Sequence, residues 1–444
     1  MCAASANGTR YCLAPTKEPP APPGTHHPGA FLWSQGPFAC RVLGLYTYRN
    51  FVFVATYNVT ALHADSGSVI WNNANLPILM DGCTIVPAGD DLLVMDASLQ
   101  ALNIETGHSK WQSGRDDGNP TLIGSKGDRF VAIGGAESAL VGRLVSTGAD
   151  EWHALTNITS ILGTSNDGSR VLCVQWDRNG YMNNGSVISF DVRSREIMWR
   201  HTLILYYGYP VTTVASADQR LLFVAYYDEN LKGARKTPTT ELGGVEATPS
   251  FTSFASVVDS LSGDMLWRNT QVANLWTGSV TAMTFLNPPR PRPCLFAALG
   301  YGSNNCTVTI VEGATGDIVW EHVWESSSGV EVLGIAADVV VVYAANASAH
   351  HDGPVMKGIN ATTGAELWMK PIVRSAQFQG NFSPLRNGAL FAIGLGWSFG
   401  LYDTTTGERI GHWKAQGDCY NTILEVQGKV VTSCADQYVY AIEL

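Results

Sequence analysis

The sequence predicts an all-β protein, a β-propeller of four-stranded antiparallel blades. Three observations carry that prediction. A turn followed by a tryptophan recurs along the 444 residues, each copy follows a short apolar strand, and the two chain ends hold complementary halves of one more copy.

Residues 359–368, INATTGAELW, show the unit: Asn360 leads into Gly364, and Trp368 follows four residues later. The same step recurs at Gly67/Trp71, Gly107/Trp111, Gly148/Trp152, Gly263/Trp267 and Gly316/Trp320. Two degenerate copies join them: SFDVRSREIMW, ending at Trp199, and LYDTTTGERIGHW, where Trp413 comes two residues late. The acidic or amide position is filled by Asn103, Asp191, Asp259, Glu312, Asn360 and Asp403. Glycine supplies the positive φ of a tight turn between antiparallel strands, and an Asp or Asn side chain caps that turn. The tryptophan brings a flat apolar body that packs between sheets and an indole N–H that needs one acceptor.

Apolar strands precede the copies: FVFVA, LLVM, FVAIG, VLCVQ, LLFVA, CLFAA, VVVVY and ALFAI. Successive motif tryptophans lie 38 to 53 residues apart, with one gap of 68. A repeat of roughly 40 to 50 residues is the spacing of propeller blades, whose stacking buries faces that one sheet leaves bare. The chain ends VVTSCADQYVYAIEL, the two middle strands of a blade stopping at the acidic position, Glu443. Gly29-Ala30-Phe31-Leu32-Trp33 holds the missing glycine and tryptophan, so the N-terminal strand is expected to complete the C-terminal blade. Nine repeat units are counted, the shared one included, and eight or nine blades are expected.

The profile A-x-D-x-x-T-G-x-x-x-W is similar to the tryptophan-docking motif of quinoprotein propellers, the PQQ-like repeat family. The resemblance covers nearly the whole chain from about Ala30 and implies the propeller fold. That family includes pyrroloquinoline-quinone dehydrogenases and also cofactor-free scaffolds such as the bacterial outer-membrane assembly lipoprotein of the BamB type. Its quinone-dependent alcohol dehydrogenases carry two adjacent cysteines over the quinone, with a catalytic Asp and calcium ligands near the axis. This chain has no Cys-Cys pair and no matched motif for the rest. The expectation is a non-enzymatic binding or scaffold propeller without cofactor; the alternative is a PQQ-dependent or other enzyme with its site in the axial funnel.

Composition narrows the classes. With 45% hydrophobic and 15% charged residues the chain can bury a large core. A net charge of −10 argues against a nucleic-acid groove, which needs clustered basic residues. The longest apolar run, 332–345, is short and interrupted by Asp338, so no membrane span is expected. A monomer is expected. Residues 1–29 read as a flexible Pro-rich arm and 30–444 as a single propeller. The N-terminus has neither a basic nor an apolar leader region, so either the chain is not secreted or its signal has been removed.

Two features favour an extracellular or secretory-pathway location. Eight N-x-[ST] sequons occur, about twice what chance gives. Glycosylation is expected at Asn7, Asn58, Asn157, Asn184, Asn305 and Asn346; at Asn360, turn capping accounts for the amide. There are also nine cysteines and no CxxC pair. Cys294 with Cys306, and Cys419 with Cys434, fall on neighbouring strands and are disulfide candidates, buried free thiols being the alternative.

With strands lettered A to D from the axis outward, nine of the thirteen tryptophans belong to the motif. The other four, Trp176, Trp276, Trp324 and Trp397, all map to the end where D–A and B–C connections emerge. Long B–C segments at 177–186, 228–250 and 345–354 and the D–A stretch LILYYGYP point the same way. The candidate binding face therefore comprises Trp176, Asp177, Arg178, Tyr206, Tyr207, Tyr227, Asp228, Glu229, Trp276, Trp324, Glu325 and Trp397. Aromatics in loops stack on sugars or clasp a peptide, and the carboxylates favour a basic partner. The alternative is that these aromatics cap blade ends. His350-His351-Asp352 reads as a solvated tip, no metal site is expected, and no hydrolase or nucleotide fingerprint occurs.

Overall fold

The computed structural model describes residues 2–4, 10–12, 30–38, 41–74, 84–95, 98–113, 121–126, 128–134, 138–164, 169–177, 184–204, 212–215, 221–228, 252–269, 295–301, 306–324, 330–344, 353–372, 382–395, 398–414 and 423–444. Among them, nine sheets follow the repeat, eight of four strands and one of three, beside a hairpin of Cys2–Ala4 and Arg10–Cys12. The fold is the all-β propeller class that the repeat predicts.

The first sheet shows the pattern. Gly44–Tyr48, Phe51–Ala55, Val59–His63 and Val69–Asn73 pair in chain order, all antiparallel. Phe51–Ala55 is buried at every position, because an inner strand is covered on both faces. The outermost strand, Val69–Asn73, buries only Trp71 fully. Trp71 faces inward while Val69, Ile70 and Asn72 face water, as on a strand covered along one stripe only.

The turns carry the motif's chemistry. Asn103 Oδ1 accepts the backbone N–H groups of Glu105 and Thr106, at 3.1 and 3.0 Å. Gly107 N–H closes the turn on Asn103 O at 2.8 Å, with φ at 69°. A Cβ on Gly107 would lie 2.5 Å from the Trp71 ring, so both the backbone and the packing demand glycine there. The Trp71 indole donates to Ile104 O at 2.9 Å, three residues before that glycine. The same bond recurs from Trp33 to Ala64, Trp111 to Val145, Trp199 to Ser260, Trp267 to Gly313, Trp320 to Ala361 and Trp368 to Thr404. Each of these seven tryptophans thus docks on the turn of the following sheet.

One sheet departs from chain order. Phe31–Gln35 pairs with Val439–Glu443, which continues to Lys429–Ser433 and Leu424–Val426. In intact turns the acidic-position N–H donates to the carbonyl just after the glycine, as in Asn103 to His108 and Asp403 to Glu408, both at 2.9 Å. Here Glu443 N–H donates to Ala30 O at 2.8 Å. Two distant chain segments reproduce one turn's closing bond, as the complementary ends predict.

The chain divides into two compact units, residues 1–154, 356–358 and 367–444 in one and residues 155–355 and 359–366 in the other. In the first, Trp33, Val42, Val52, Val54, Leu62, Val431, Val439 and Ala441 form a shared core between the N-terminal and closing sheets. In the second, Cys173 and Cys306 are buried free thiols. Burial pushes the Cys173 thiol up to about 12, which leaves it protonated and inert. Cys306 corrects an expectation: as a free thiol among strand-core residues it does not form the bridge to Cys294. Cys434 is fully buried, and its expected partner Cys419 lies outside the described residues.

Candidate binding face

Two successive hairpins extend beyond the common strand length. Arg170–Asp177 pairs with Asn184–Asp191, and Leu221–Asp228 with Thr252–Asp259, each strand eight residues long. The inner hairpin of the first sheet uses five-residue strands. The extra length carries both B–C ends outward, so Trp176 and Asp177 stand opposite Gly185 and Asn184. Tyr227 and Asp228 stand opposite Ser253 and Thr252. These four residues occupy corresponding places at the B–C ends of two sheets in one compact unit.

The base of the first hairpin is held by polar contacts that no sequence pattern announced. Gln175 Nε2 donates to Thr156 O at 2.8 Å, and Gln175 Oε1 accepts from Arg200 Nη2 at 2.8 Å. Residues from the approach to strand A, from strand B and from strand D are thereby tied together at the position preceding Trp176. The partners are up to 25 positions apart and belong to no motif, so only strand pairing brings them together. At the opposite end of the same sheet, the Ser194 N–H and then the Arg193 N–H hold the Asp191 carboxyl below its usual range.

Trp324 closes the D strand Ile318–Trp324 opposite Cys306, the first residue of strand C, and so stands at the D–A/B–C end. It is not displayed, however. Trp324 is only 6% exposed, its ring lies 4.2 Å from that of His322, and its buried indole N–H finds no acceptor among the described residues. The expectation of an accessible ring is corrected here, because Trp324 packs as an end cap. Arg178, Tyr206, Tyr207, Glu229, Trp276, Glu325 and Trp397 lie outside the described residues. So do Asn7, Asn305, Asn346, Cys294 and the His350-His351-Asp352 tip.

Among the described sequons, Asn360 Oδ1 accepts the N–H groups of Thr362 and Thr363 at 3.0 and 2.9 Å. It caps the turn as Asn103 does. Asn58 Oδ1 accepts the Thr56 hydroxyl at 2.7 Å, and Asn157 sits in a left-handed connection with φ at 59°. Asn184 opens strand C beside the B–C loop.

Among the described residues no three His, Cys, Asp or Glu side chains converge as metal ligands. The sequence also lacks the adjacent cysteines that quinone-dependent members carry. No helix among the described residues is long and apolar enough to cross a membrane.

Seven tryptophans among the described residues, each donating to the turn of the following sheet, mark a PQQ-like β-propeller. The profile of the family described as outer membrane protein assembly factor BamB matches residues 27–211 and 183–444, and the chain belongs to that family. No curated protein sequence matches it. Among solved structures, BamB from Moraxella catarrhalis is 15% identical with a TM-score of 0.49, covering 94% of this chain and 97% of that one. A eukaryotic initiation factor is 11% identical with a TM-score of 0.54, covering 92% and 94%. A quinohemoprotein alcohol dehydrogenase from Pseudomonas putida HK5 is 11% identical with a TM-score of 0.46, covering 94% and 76%. The likeness to the initiation factor, at this identity, is one of fold alone.

Proposed function

We propose that the chain is a non-enzymatic scaffold that engages a protein or glycan through the D–A/B–C ends of its sheets. The carrying observation is the pair of lengthened hairpins ending in Trp176-Asp177 and Tyr227-Asp228. Two aromatic–acidic pairs at corresponding strand ends are suited to a basic peptide or a stacked sugar ring. Membership of a family whose description names an assembly factor agrees with a scaffold role. The reading includes passage through the secretory route as a monomer, with glycans at Asn58, Asn157 and Asn184 and a Cys419–Cys434 disulfide.

The test compares the wild-type chain with a Trp176→Ala/Tyr227→Ala/Trp397→Ala variant, on a glycan array and in crosslinking pull-downs from extracellular fluid. Trp324→Ala serves as the buried control, expected to lower stability by about 3–5 kcal/mol as a large core truncation does. The triple variant should keep its melting temperature and lose the bound glycan or protein. A triple variant that unfolds would make these aromatics core residues, and one that retains every partner would remove the face from consideration. Thermal stabilisation by pyrroloquinoline quinone with calcium would favour the enzyme reading instead, since a specific ligand stabilises the fold by mass action.

A further inference from the structure

The strands Cys2–Ala4 and Arg10–Cys12 form a sheet of two, each three residues long, and among the described residues no other strand joins it. A two-stranded antiparallel sheet is marginally stable at best in water. This one has three cross-strand pairs: Cys2 with Cys12, Ala3 with Tyr11 and Ala4 with Arg10. Alanine on one side of the last two gives little to cross-strand packing, and it is a poor strand former. What holds so short a sheet must come from the first pair, where cysteine stands opposite cysteine.

That register meets the geometric demand of a disulfide. Directly opposed residues of an antiparallel pair stand about 4.5 or 5.5 Å apart at Cα, and a disulfide spans about 4.4–6.8 Å. Both kinds of position qualify. With nine cysteines in 444 residues, a matched pair on a sheet of three pairs is not expected by chance. Cys173 and Cys306 are buried as free thiols and do not compete for either partner. We infer that Cys2 and Cys12 form a disulfide that staples this sheet, a redox site separate from the Cys419–Cys434 bridge proposed above. One thiolate attacks a disulfide oxidant such as glutathione disulfide, forming a mixed disulfide and releasing one glutathione. The other thiolate then displaces the second glutathione. Two protein thiols are oxidised, one glutathione disulfide is reduced, and the two thiol protons pass to the glutathiones. Bridge and sheet favour each other, because pairing holds the thiols together and the bond removes conformations open to the unpaired chain. Pairing therefore raises the equilibrium constant for bridging, whatever compartment the chain occupies.

The experiment equilibrates the purified chain, freed of N-glycans, in stepped ratios of glutathione to glutathione disulfide. Samples are quenched with N-ethylmaleimide and digested with trypsin without reduction. Cleavage after Arg10 and Lys17 separates MCAASANGTR from YCLAPTK, so only a bridge joins the two peptides in the mass spectrum. The joined pair should form with an equilibrium constant at least about fivefold higher than in the same chain unfolded by guanidinium chloride. Successive N–H groups of a strand point to opposite sides, so Ala3→Pro/Ala4→Pro removes whichever one pairs with the partner strand. That variant should lower the native constant to the unfolded value. Equal constants in the folded and unfolded wild-type chain would overturn the inference, as would an unchanged constant in the proline variant. So would either peptide joined mainly to another cysteine, or both found as maleimide adducts at every ratio.

Discussion

Arg195 occupies the place that glycine holds in the other turns and keeps the glycine backbone. Its φ is 63°, and its N–H donates to Asp191 O at 2.9 Å, matching the bond from Gly107 to Asn103. A side chain in the left-handed region costs about 1–2 kcal/mol, whereas glycine costs about 0.5–1 kcal/mol in unfolded-chain entropy. Arg195→Gly is therefore expected to stabilise the protein by about 0.5–1 kcal/mol, seen as a higher urea midpoint with unchanged slope. A lower midpoint would show that the arginine side chain's contacts outweigh the strain. This site also marks how far single residues were legible. SFDVRSREIMW advertised its capping Asp191 and its Trp199, but nothing in an arginine codon announces a left-handed backbone. The turn survives because neighbouring bonds impose it. Gln175 and Arg200 escaped for a related reason: each is an ordinary surface polar residue until strand pairing sets them side by side.

The docked tryptophan is the element that repeats, and its exception tests what the repeat contributes. Trp71 is 8% exposed and donates to Ile104 O, while Trp413 is 5% exposed and its indole N–H has no acceptor among the described residues. The intact repeats place that acceptor three residues before the glycine. In the sheet after Trp413 the corresponding residue is Leu444, whose carbonyl accepts from Arg386 Nη2 instead. Trp413 is held by its rings, stacking on Phe31 at 4.8 Å and tilted against Tyr440 at 5.4 Å. Replacement by Phe removes similar apolar area from both sites. At Trp71 it also strands the Ile104 carbonyl, whereas at Trp413 it relieves a buried donor of its desolvation cost. Trp413→Phe should then be less destabilising than Trp71→Phe by roughly 1–3 kcal/mol, measured by urea denaturation. Equal losses would mean that the indole bond contributes nothing and that ring packing alone joins the sheets. The sequence did show Trp413 slipping two residues from its motif position; the register bears this out, pairing Trp413 with Phe399 and Gly411 with Leu401.

For the whole molecule, fold and site were unequally legible, and the repeat explains the difference. Packing obeys one rule copied along the chain, so periodic Gly, Asp/Asn and Trp residues expose it even where sister copies have decayed. A binding face is made where copies differ, so no periodicity can reveal it; Trp324, grouped with the rim by position alone, proves buried. The sequons divide along the same line. Asn360 belongs to the repeat, and its side chain is committed to the Thr362 and Thr363 N–H groups. Asn184 belongs to an insertion at a lengthened strand end, and Asn157 to a connection between sheets. If the chain travels the secretory route, sugar should be found where the sequence is not needed for folding. Expression through that route in cultured cells, followed by peptide-N-glycosidase release in heavy-oxygen water, marks each formerly glycosylated Asn by mass. Marks are expected at Asn58, Asn157 and Asn184 and not at Asn360. An Asn360→Asp variant, which supplies the carboxylate used at Asp191, Asp259 and Asp403, should fold with unchanged stability. Marks at Asn360 would show that its turn forms after glycosylation and tolerates the glycan. A chain carrying no sugar at any sequon would remove the main support for an extracellular or luminal location.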